Sequence, residues 1–306
     1  MVHIALAGAS GSLGQLLLTH LSSHPSAHRI TVLSRSPTPP KPVTPNTTVR
    51  TVDYTSLSSL TKALAGIDIV LSTLSSLSSG PAQMLLIQAA AAAGVKRFAP
   101  SEWGIHPDLN YDITLYTDIK TPSWEAVKTS GMEYTAFENG VFLNYMAYGS
   151  PKAGAKEKAF KGLQYTPWLF DPTLDTIEVP GTGEEQFVVT EVEDITKVVA
   201  DVVGRDEVWR QEVSTMVGAV TCFNELIREM ERITGKKYEV VYQDIALLEK
   251  KIAEETTQMG RFYWEYRLCL ARGKCNVQPS LNNLTDLSLT GVTEFLERWW
   301  GKKDDE

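Results

Sequence analysis

Short runs of β-branched and aliphatic residues alternate with stretches of helical period along the first half of the chain. The runs at 2–7, 29–33, 49–52, 67–74, 95–99 and 133–137 have the length and composition of strands. Between them lie segments whose apolar positions recur at helical spacing, such as Leu13, Leu16, Leu17 and Leu21, or Leu85, Leu86, Ala89 and Ala93. Alternation of this kind predicts an α/β fold: a Rossmann-type, doubly wound parallel sheet covered on both faces. The Pro-rich stretch 36–45 is neither helix nor central strand and reads as the loop after the second strand.

The regular alternation fades in the second half. Aromatics and prolines crowd 142–172, and the Gly-rich stretch 179–189 looks like a hairpin. Helices are expected from near Val192, over 222–234 with Gly235 as its C-cap, and near 245–255 and 289–299, with a strand at 238–242. The pattern divides the chain into a nucleotide domain over 1–142 and a smaller, mainly helical substrate-binding region over 143–306, with elements returning to the first sheet.

Composition narrows the function classes. An apolar fraction of 43% and a charged fraction of 22% are ordinary for a soluble globular protein. The net charge of -8 argues against a nucleic-acid partner and against an anionic membrane, but not against an anionic cofactor bound by local N–H groups. No apolar run reaches the length of a membrane span, and the first strand-like run begins directly after Met1, so a cytoplasmic location is expected. Cys222, Cys269 and Cys275 lack ligand-like spacing and read as buried or incidental thiols. His20, His24 and His28 straddle Pro25 and share no clean helix face, so no metal is expected. A G-x-S-x-G nucleophile elbow is missing, which argues against a hydrolase.

The loop Gly8-Ala9-Ser10-Gly11-Ser12-Leu13-Gly14 follows the first strand and opens the first helix, the context in which glycines signal nucleotide binding. Gly8 permits a tight turn, Gly11 lets the backbone approach a diphosphate, and Gly14 lets the helix pack against the sheet. Ser10, Ser12 and Leu13 complete the loop's contacts, and the helix N-terminus adds free N–H donors. The second strand ends in Val32-Leu33-Ser34-Arg35-Ser36, without the acid that an NAD site uses for the ribose. Arg35 instead offers a planar fork for a phosphate monoester, which points to NADP(H). Lys41 is a further cation in the loop beyond. Asp53 and Tyr54, after the third strand, are expected to frame the adenine, and Thr73 and Leu74, after the fourth, to lie beside the diphosphate and nicotinamide.

Past the fifth strand the chain reads Gly94-Val95-Lys96-Arg97-Phe98-Ala99-Pro100-Ser101-Glu102-Trp103-Gly104. This resembles the G-V-K-R-F-x-P-S-E-F-G signature of the isoflavone reductase and phenylcoumaran benzylic ether reductase family, an NmrA-like, atypical branch of the short-chain dehydrogenases. The glycine loop, Arg35, the strand at 68–73, Gln83, Gly131-Met132-Glu133-Tyr134-Thr135, Phe223-Asn224-Glu225-Leu226 and Gly235-Lys236 also fall where that family has equivalents. The likeness is dense to Phe142 and thin from there to Thr176.

The resemblance implies an essential lysine eleven residues before the glycine of G-x-x-Y-T, which counts back from Gly131 to Lys120. Lys120 would handle the proton over the nicotinamide, its pKa lowered by partial burial and by the cofactor's charge. Composition alone reads the same residue as a helix-surface lysine. Tyr116 stands four residues earlier, the Tyr-x-x-x-Lys spacing of ordinary short-chain dehydrogenases. On a helix the two share a face, with the tyrosine as acid, its pKa lowered by the lysine, and Ser101 orienting the substrate carbonyl. The competing readings make Tyr116 a core aromatic, or place it on a loop before a helix that starts at Pro122.

The resemblance further implies that Asn139 and Phe142 border the nicotinamide and that Phe142, Tyr145 and Met146 border the substrate. Trp103 stands where the family has phenylalanine, and Trp124 where the plant enzymes carry a basic residue. Trp103, Trp168, Phe170 and the cluster around Tyr263 would complete an apolar wall for flat, weakly polar molecules, against the simpler reading of core packing. The expectation is an NADPH-dependent reductase of a small aromatic or conjugated substrate, monomeric or homodimeric. Two alternatives stand beside it: an NADP(H)-sensing regulator without catalysis, and a redox-neutral isomerase or cyclase.

Overall fold

The computed structural model describes residues 1–36, 44–152, 154–164 and 169–302, with 76–79 described by their backbone alone. The first half runs β1 (His3–Ala7), α1 (Ser12–Ser23), β2 (Arg29–Ser34), β3 (Thr47–Thr51), α2 (Leu57–Ala63), β4 (Ile69–Ser72), α3 (Ser76–Ala92), β5 (Arg97–Ala99), α4 (Thr114–Ile119), α5 (Thr121–Lys128) and β6 (Glu133–Tyr134). These six strands form one sheet in the order β3-β2-β1-β4-β5-β6, every pair parallel. The order reverses direction between β1 and β4, the point at which doubly wound sheets open a crevice for ligands.

Both faces of this sheet are covered, which is why its strands are almost wholly apolar. Ile4, Leu6, Val32 and Leu71 point to one side, against Leu17, Leu18 and Leu21 of α1. Ala5, Ala7, Val70 and Phe98 point to the other, against Leu60 of α2, Leu86 of α3 and Trp124 of α5.

The second half runs β7 (Ala136–Glu138), β8 (Val141–Phe142), α6 (Ala155–Phe160), β9 (Thr176–Pro180), β10 (Phe187–Thr190), α7 (Val192–Val202), β11 (Val213–Thr215), β12 (Ala219–Thr221), α8 (Phe223–Thr234), β13 (Glu239–Gln243), α9 (Ile245–Glu254), α10 (Gln258–Ala271) and α11 (Val292–Trp300). Its α7 lies back over α1, burying Ile195, Val198, Val199 and Val202 in the first sheet's core. A separate core gathers Phe170, Phe187, Phe223, Tyr266 and Phe295. No helix among the described residues is long and apolar enough to cross a membrane.

Two expectations fail on strand partners. The strand expected at 133–137 breaks at Thr135: β6 pairs with β5, whereas β7 pairs with β11. The stretch 179–189 is not a hairpin, because β9 pairs with β13 while β10 pairs with β8 and β12. Between them the Glu185 carboxylate accepts the N–H groups of Thr182 and Gly183, closing a turn that sends the chain into a different ladder.

Glu138 ends β7 inside the protein, 2% exposed, with Thr215 Oγ1 donating to its carboxylate at 2.9 Å. Burial pushes its pKa up to about 7, against the opposing Thr215 hydrogen bond. The folded protein therefore holds this proton through a range in which the unfolded chain has lost it, and stability falls as pH rises through about 7. Relative to Glu138→Gln, the native chain should lose on the order of 3 kcal/mol between about pH 4.5 and pH 8, read from urea unfolding at both values. Parallel pH dependence in the two proteins would remove Glu138 from this account.

Candidate functional site

At the end of β1 the chain turns through Gly8 at φ +87°, and Gly11 N–H donates to Gly8 O at 2.9 Å. A Cβ on Gly8 would stand 2.6 Å from the Thr73 carbonyl oxygen. On Gly14 it would strike the Gly8 carbonyl and lie 2.6 Å from Thr73 Oγ1. Only glycine at these positions lets α1 begin hard against the ends of β1 and β4. The first-turn N–H groups of Ser12, Leu13 and Gly14 lack intrahelical acceptors and face the end of the helix, the arrangement that receives a diphosphate. The Ser12 hydroxyl is engaged, donating to Gly162 O at 2.5 Å, so the serine offers its backbone N–H rather than its side chain.

A cavity of about 1040 Å³ opens from this loop across the ends of β2 and β3, lined by Gly8, Ser10, Arg35, Asp53, Tyr54 and Leu74 among others. Arg35 is exposed on its wall, and the Tyr54 hydroxyl donates to Leu33 O at 3.1 Å. Asp53 turns its carboxylate onto Thr55 N and Oγ1 at 2.9 and 2.7 Å, bonds that hold its pKa below the usual carboxylate range. Among the described residues, no acid lines the cavity at the end of β2. Lys41 lies outside the described residues.

The Pro100–Gly104 segment is tied to β4 by a small network. Ser72 Oγ donates to Gln83 Oε1 at 2.7 Å, Ser101 N donates to the same oxygen at 2.9 Å, and Trp103 Nε1 donates to Ser72 O at 2.9 Å. Trp103 then stacks on Phe137 at 5.2 Å between ring centroids.

Lys120 sits where α4 gives way to α5. Pro122 falls in the first turn of α5, where its missing N–H costs nothing, and Tyr116 is inside α4 rather than on a loop. Lys120 is only 7% exposed, with Nζ 3.4 Å from Glu102 Oε2 and 4.6 Å from the centroid of the Tyr116 ring. Helix α3, whose Pro81, Ala82 and Leu85 line the cavity, approaches α4 at Gly80 and the Ile119 carbonyl. Both expected pKa directions reverse here. Burial would lower Lys120, but the Glu102 carboxylate and Tyr116 outweigh it and raise the lysine above its ordinary value. Burial raises the Tyr116 phenol, an effect that Lys120 opposes and Glu102 reinforces. The pair is an ammonium over a protonated phenol.

The NmrA-like family profile matches residues 2–296. The chain belongs to the NmrA-like family. Among its relatives, Oxidoreductase BOA1 of Botryotinia fuckeliana is 29% identical over 244 residues, 78% of each chain. Phenylcoumaran benzylic ether reductase TP7 of Nicotiana tabacum is 24% identical over 252 residues, 78% of this chain and 77% of its own. The solved structure of AtPrR2 with NADP+ and (+)pinoresinol matches with a TM-score of 0.77 at 19% identity, covering 97% of this chain and 98% of the other. The ternary complex of leucoanthocyanidin reductase from Vitis vinifera gives 0.74 at 20% identity, covering 97% and 99%. At such identities these structures establish that the fold is shared.

In this NmrA-like chain several expected pocket residues lie elsewhere. Met146 is 0% exposed and packed into the second core, because the 3-10 turn over Leu143–Ala147 rotates it inward while Phe142 and Tyr145 stay half-buried, edge to face at 5.6 Å. Asn139 is fully enclosed in a turn with Gly140; its Nδ2 donates to Gly140 O, so it is a turn former and not an open contact. Tyr263 lies under the Arg267 guanidinium and against Trp264, whereas its neighbour Phe262 packs on Tyr116 at 5.3 Å. Trp124 is buried edge-on to Tyr134. Trp168 lies outside the described residues. Sequence reasoning gave no role to Glu102, although the motif contains it, nor to Asn110 and Glu265. Glu265 of α10 accepts Thr114 N and Oγ1 at 2.8 and 2.6 Å and so anchors the start of α4.

Gly14→Ala should cost about 1–3 kcal/mol in urea unfolding through overpacking, and displace the helix end enough to weaken NADPH binding at least roughly ten-fold in a fluorescence titration. Unchanged affinity would separate the glycine loop from dinucleotide binding.

Proposed function

We propose that this chain is an NADPH-dependent reductase of a small aromatic or conjugated substrate, with Lys120 as the proton donor. The observation that carries the reading is a buried lysine held as an ammonium at the end of α4, the helix that meets the cavity-lining α3 at Gly80 and the Ile119 carbonyl. The names of the relatives, oxidoreductase and phenylcoumaran benzylic ether reductase, support the reaction class. The NADP+ in the AtPrR2 complex supports the cofactor.

The residues fit that cofactor. Gly8 and Gly14 form a cradle that a Cβ would fill, the α1 N-terminus faces the diphosphate position, and Arg35 stands at the cavity wall with no competing acid among the described residues at the end of β2. Bound there, NADPH supplies the hydride. The chain's own part is to orient the substrate and complete the reduction with a proton. Lys120 Nζ–H donates to the substrate atom on which negative charge develops, and its ammonium favours that charge before transfer. Tyr116 holds the ammonium over its ring by cation–π attraction. Ser101 stands in the same buried segment as Glu102 and serves to orient a substrate oxygen. Trp103, Phe142 and Tyr145 supply aromatic surface, and Phe262 extends it behind Tyr116.

Arg35→Ala should weaken NADPH at least ten-fold while leaving NADH within about three-fold, since a bidentate contact to a phosphate monoester is lost. Equal losses for both would take the 2′-phosphate away from Arg35. Turnover is tested by NADPH consumption and product mass against a panel of quinones, conjugated aromatic carbonyls and cyclic aryl ethers. A product heavier by two hydrogens, abolished in Lys120→Met while NADPH affinity stays within ten-fold, is the expected result. Tight NADPH binding with no consumption across the panel would favour the sensor, and a product of unchanged mass the isomerase.

A further inference from the structure

The proposed chemistry uses Lys120 but leaves unexplained the carboxylate beneath it. Glu102 is 0% exposed, and a carboxylate so withdrawn from water is tolerated only when paired. Its bonding is lopsided. Lys120 Nζ at 3.4 Å and Asn110 Nδ2 at 3.1 Å both converge on Oε2, while Glu102 Oε1 and Asn110 Oδ1 have no hydrogen-bond partner among the described residues. A pair kept for rigidity alone would satisfy both oxygens.

We infer that Glu102 is a positioning residue for the reduction, holding Lys120 as an ammonium against the Tyr116 ring while Asn110 holds Glu102. The inference rests on the donor role of Lys120. Of the other charged groups around α4, Glu265 is committed to Thr114 and Arg261, Asp112 to Lys274, and Asp118, on α4 itself, is exposed to water. Tyr266, buried on α10, is raised by burial and by neighbours that include Cys275 and Tyr116 but not the lysine. Among the described residues, Glu102 is thus the carboxylate that opposes the loss of the lysine's proton. In the reduction the substrate gains the hydride on carbon and the Nζ proton on the atom that becomes anionic. The Nζ–H bond breaks, Lys120 becomes a neutral amine, and a solvent proton restores the ammonium. Glu102 keeps the amine in place between turnovers.

The first test needs no substrate. The Lys120 Nζ resonance, identified by its loss in Lys120→Met, is followed by lysine-selective NMR from about pH 6 to 11 in the native chain, Glu102→Gln and Glu102→Asp. The proton should leave Glu102→Gln at least about one pH unit below the native chain, because burial then acts unopposed, with Glu102→Asp close to native. Superimposable titrations of the native chain and Glu102→Gln overturn the inference. Should Glu102→Gln fail to fold, the melting temperature of Lys120→Met is compared with that of Lys120→Met combined with Glu102→Gln. Removing the stranded charge should recover part of the loss, and a further drop overturns the inference. On any compound the native chain reduces, Glu102→Gln should lower kcat and bring its alkaline fall to lower pH, with NADPH affinity unchanged. Absence of turnover in every compound tested counts against the reductase reading, and the titration still judges Glu102.

Discussion

The close approach of α1 to the ends of β1 and β4 is the constraint from which the site follows. Gly14 and Gly8 touch across the turn, and both press on Thr73, whose hydroxyl donates to Ala7 O at 3.0 Å. With that contact made, the helix N-terminus faces the crevice where the strand order reverses. The neighbouring Ser72 serves the other half of the site: its hydroxyl and carbonyl anchor Gln83 and Trp103, and with them the segment that carries Ser101 and Glu102. Two adjacent residues at the end of β4 thus register the glycine loop against the segment that carries Ser101 and Glu102. A shift at either would be felt by both.

Lys120 belongs to the first half of the chain but is placed by the second. The helix that leads to it, α4, has six residues, too few to persist alone. Its start is held by Glu265, its Tyr116 by Phe262, and the segment before it by the Asp112–Lys274 ion pair. All three restraints come from α10 or just beyond it. The exposed ion pair contributes little on its own, whereas the Glu265 cap and the aromatic contact act where water is largely excluded. Substitutions in the second half can therefore alter the placement of Lys120 without touching the residues that line the cavity.

The parts legible in the sequence are those set by local pattern. Strand periodicity, the glycine spacing and Arg35 depend on neighbours along the chain, and they yielded the sheet and its cleft. The parts not legible depend on partners far away. Thr135 looks like any strand residue until β11 competes with β5 for the chain beyond it. Whether Met146 or Tyr145 enters the core turns on a 3-10 step, and whether Phe262 or Tyr263 packs on Tyr116 turns on one position of a helix that its composition did not announce. Glu102 was visible as a motif residue, but its meaning lies in Lys120 and Asn110, which only the fold brings to it. The same omission reversed the expected pKa directions, because burial could be foreseen and its counter-charge could not.

Tyr116 and Lys120 reproduce the Tyr-x-x-x-Lys spacing, and the helix does place them on one face. For the tyrosine to act as the acid, the lysine must favour ionised phenol over neutral phenol. Here the Nζ lies over the ring, 4.6 Å from its centroid, while the Glu102 carboxylate 3.4 Å away offsets its field. The phenol is left with burial as its largest influence and a raised pKa. A cation over a neutral ring is favourable by about 0.5–2 kcal/mol, and that attraction would be lost as the ammonium gave up its proton. On the proposed reading the shared spacing therefore serves a different division of labour. The lysine carries the proton, the tyrosine is the platform that positions it, and the buried carboxylate takes the part of the charge that in a tyrosine-centred site the lysine would supply.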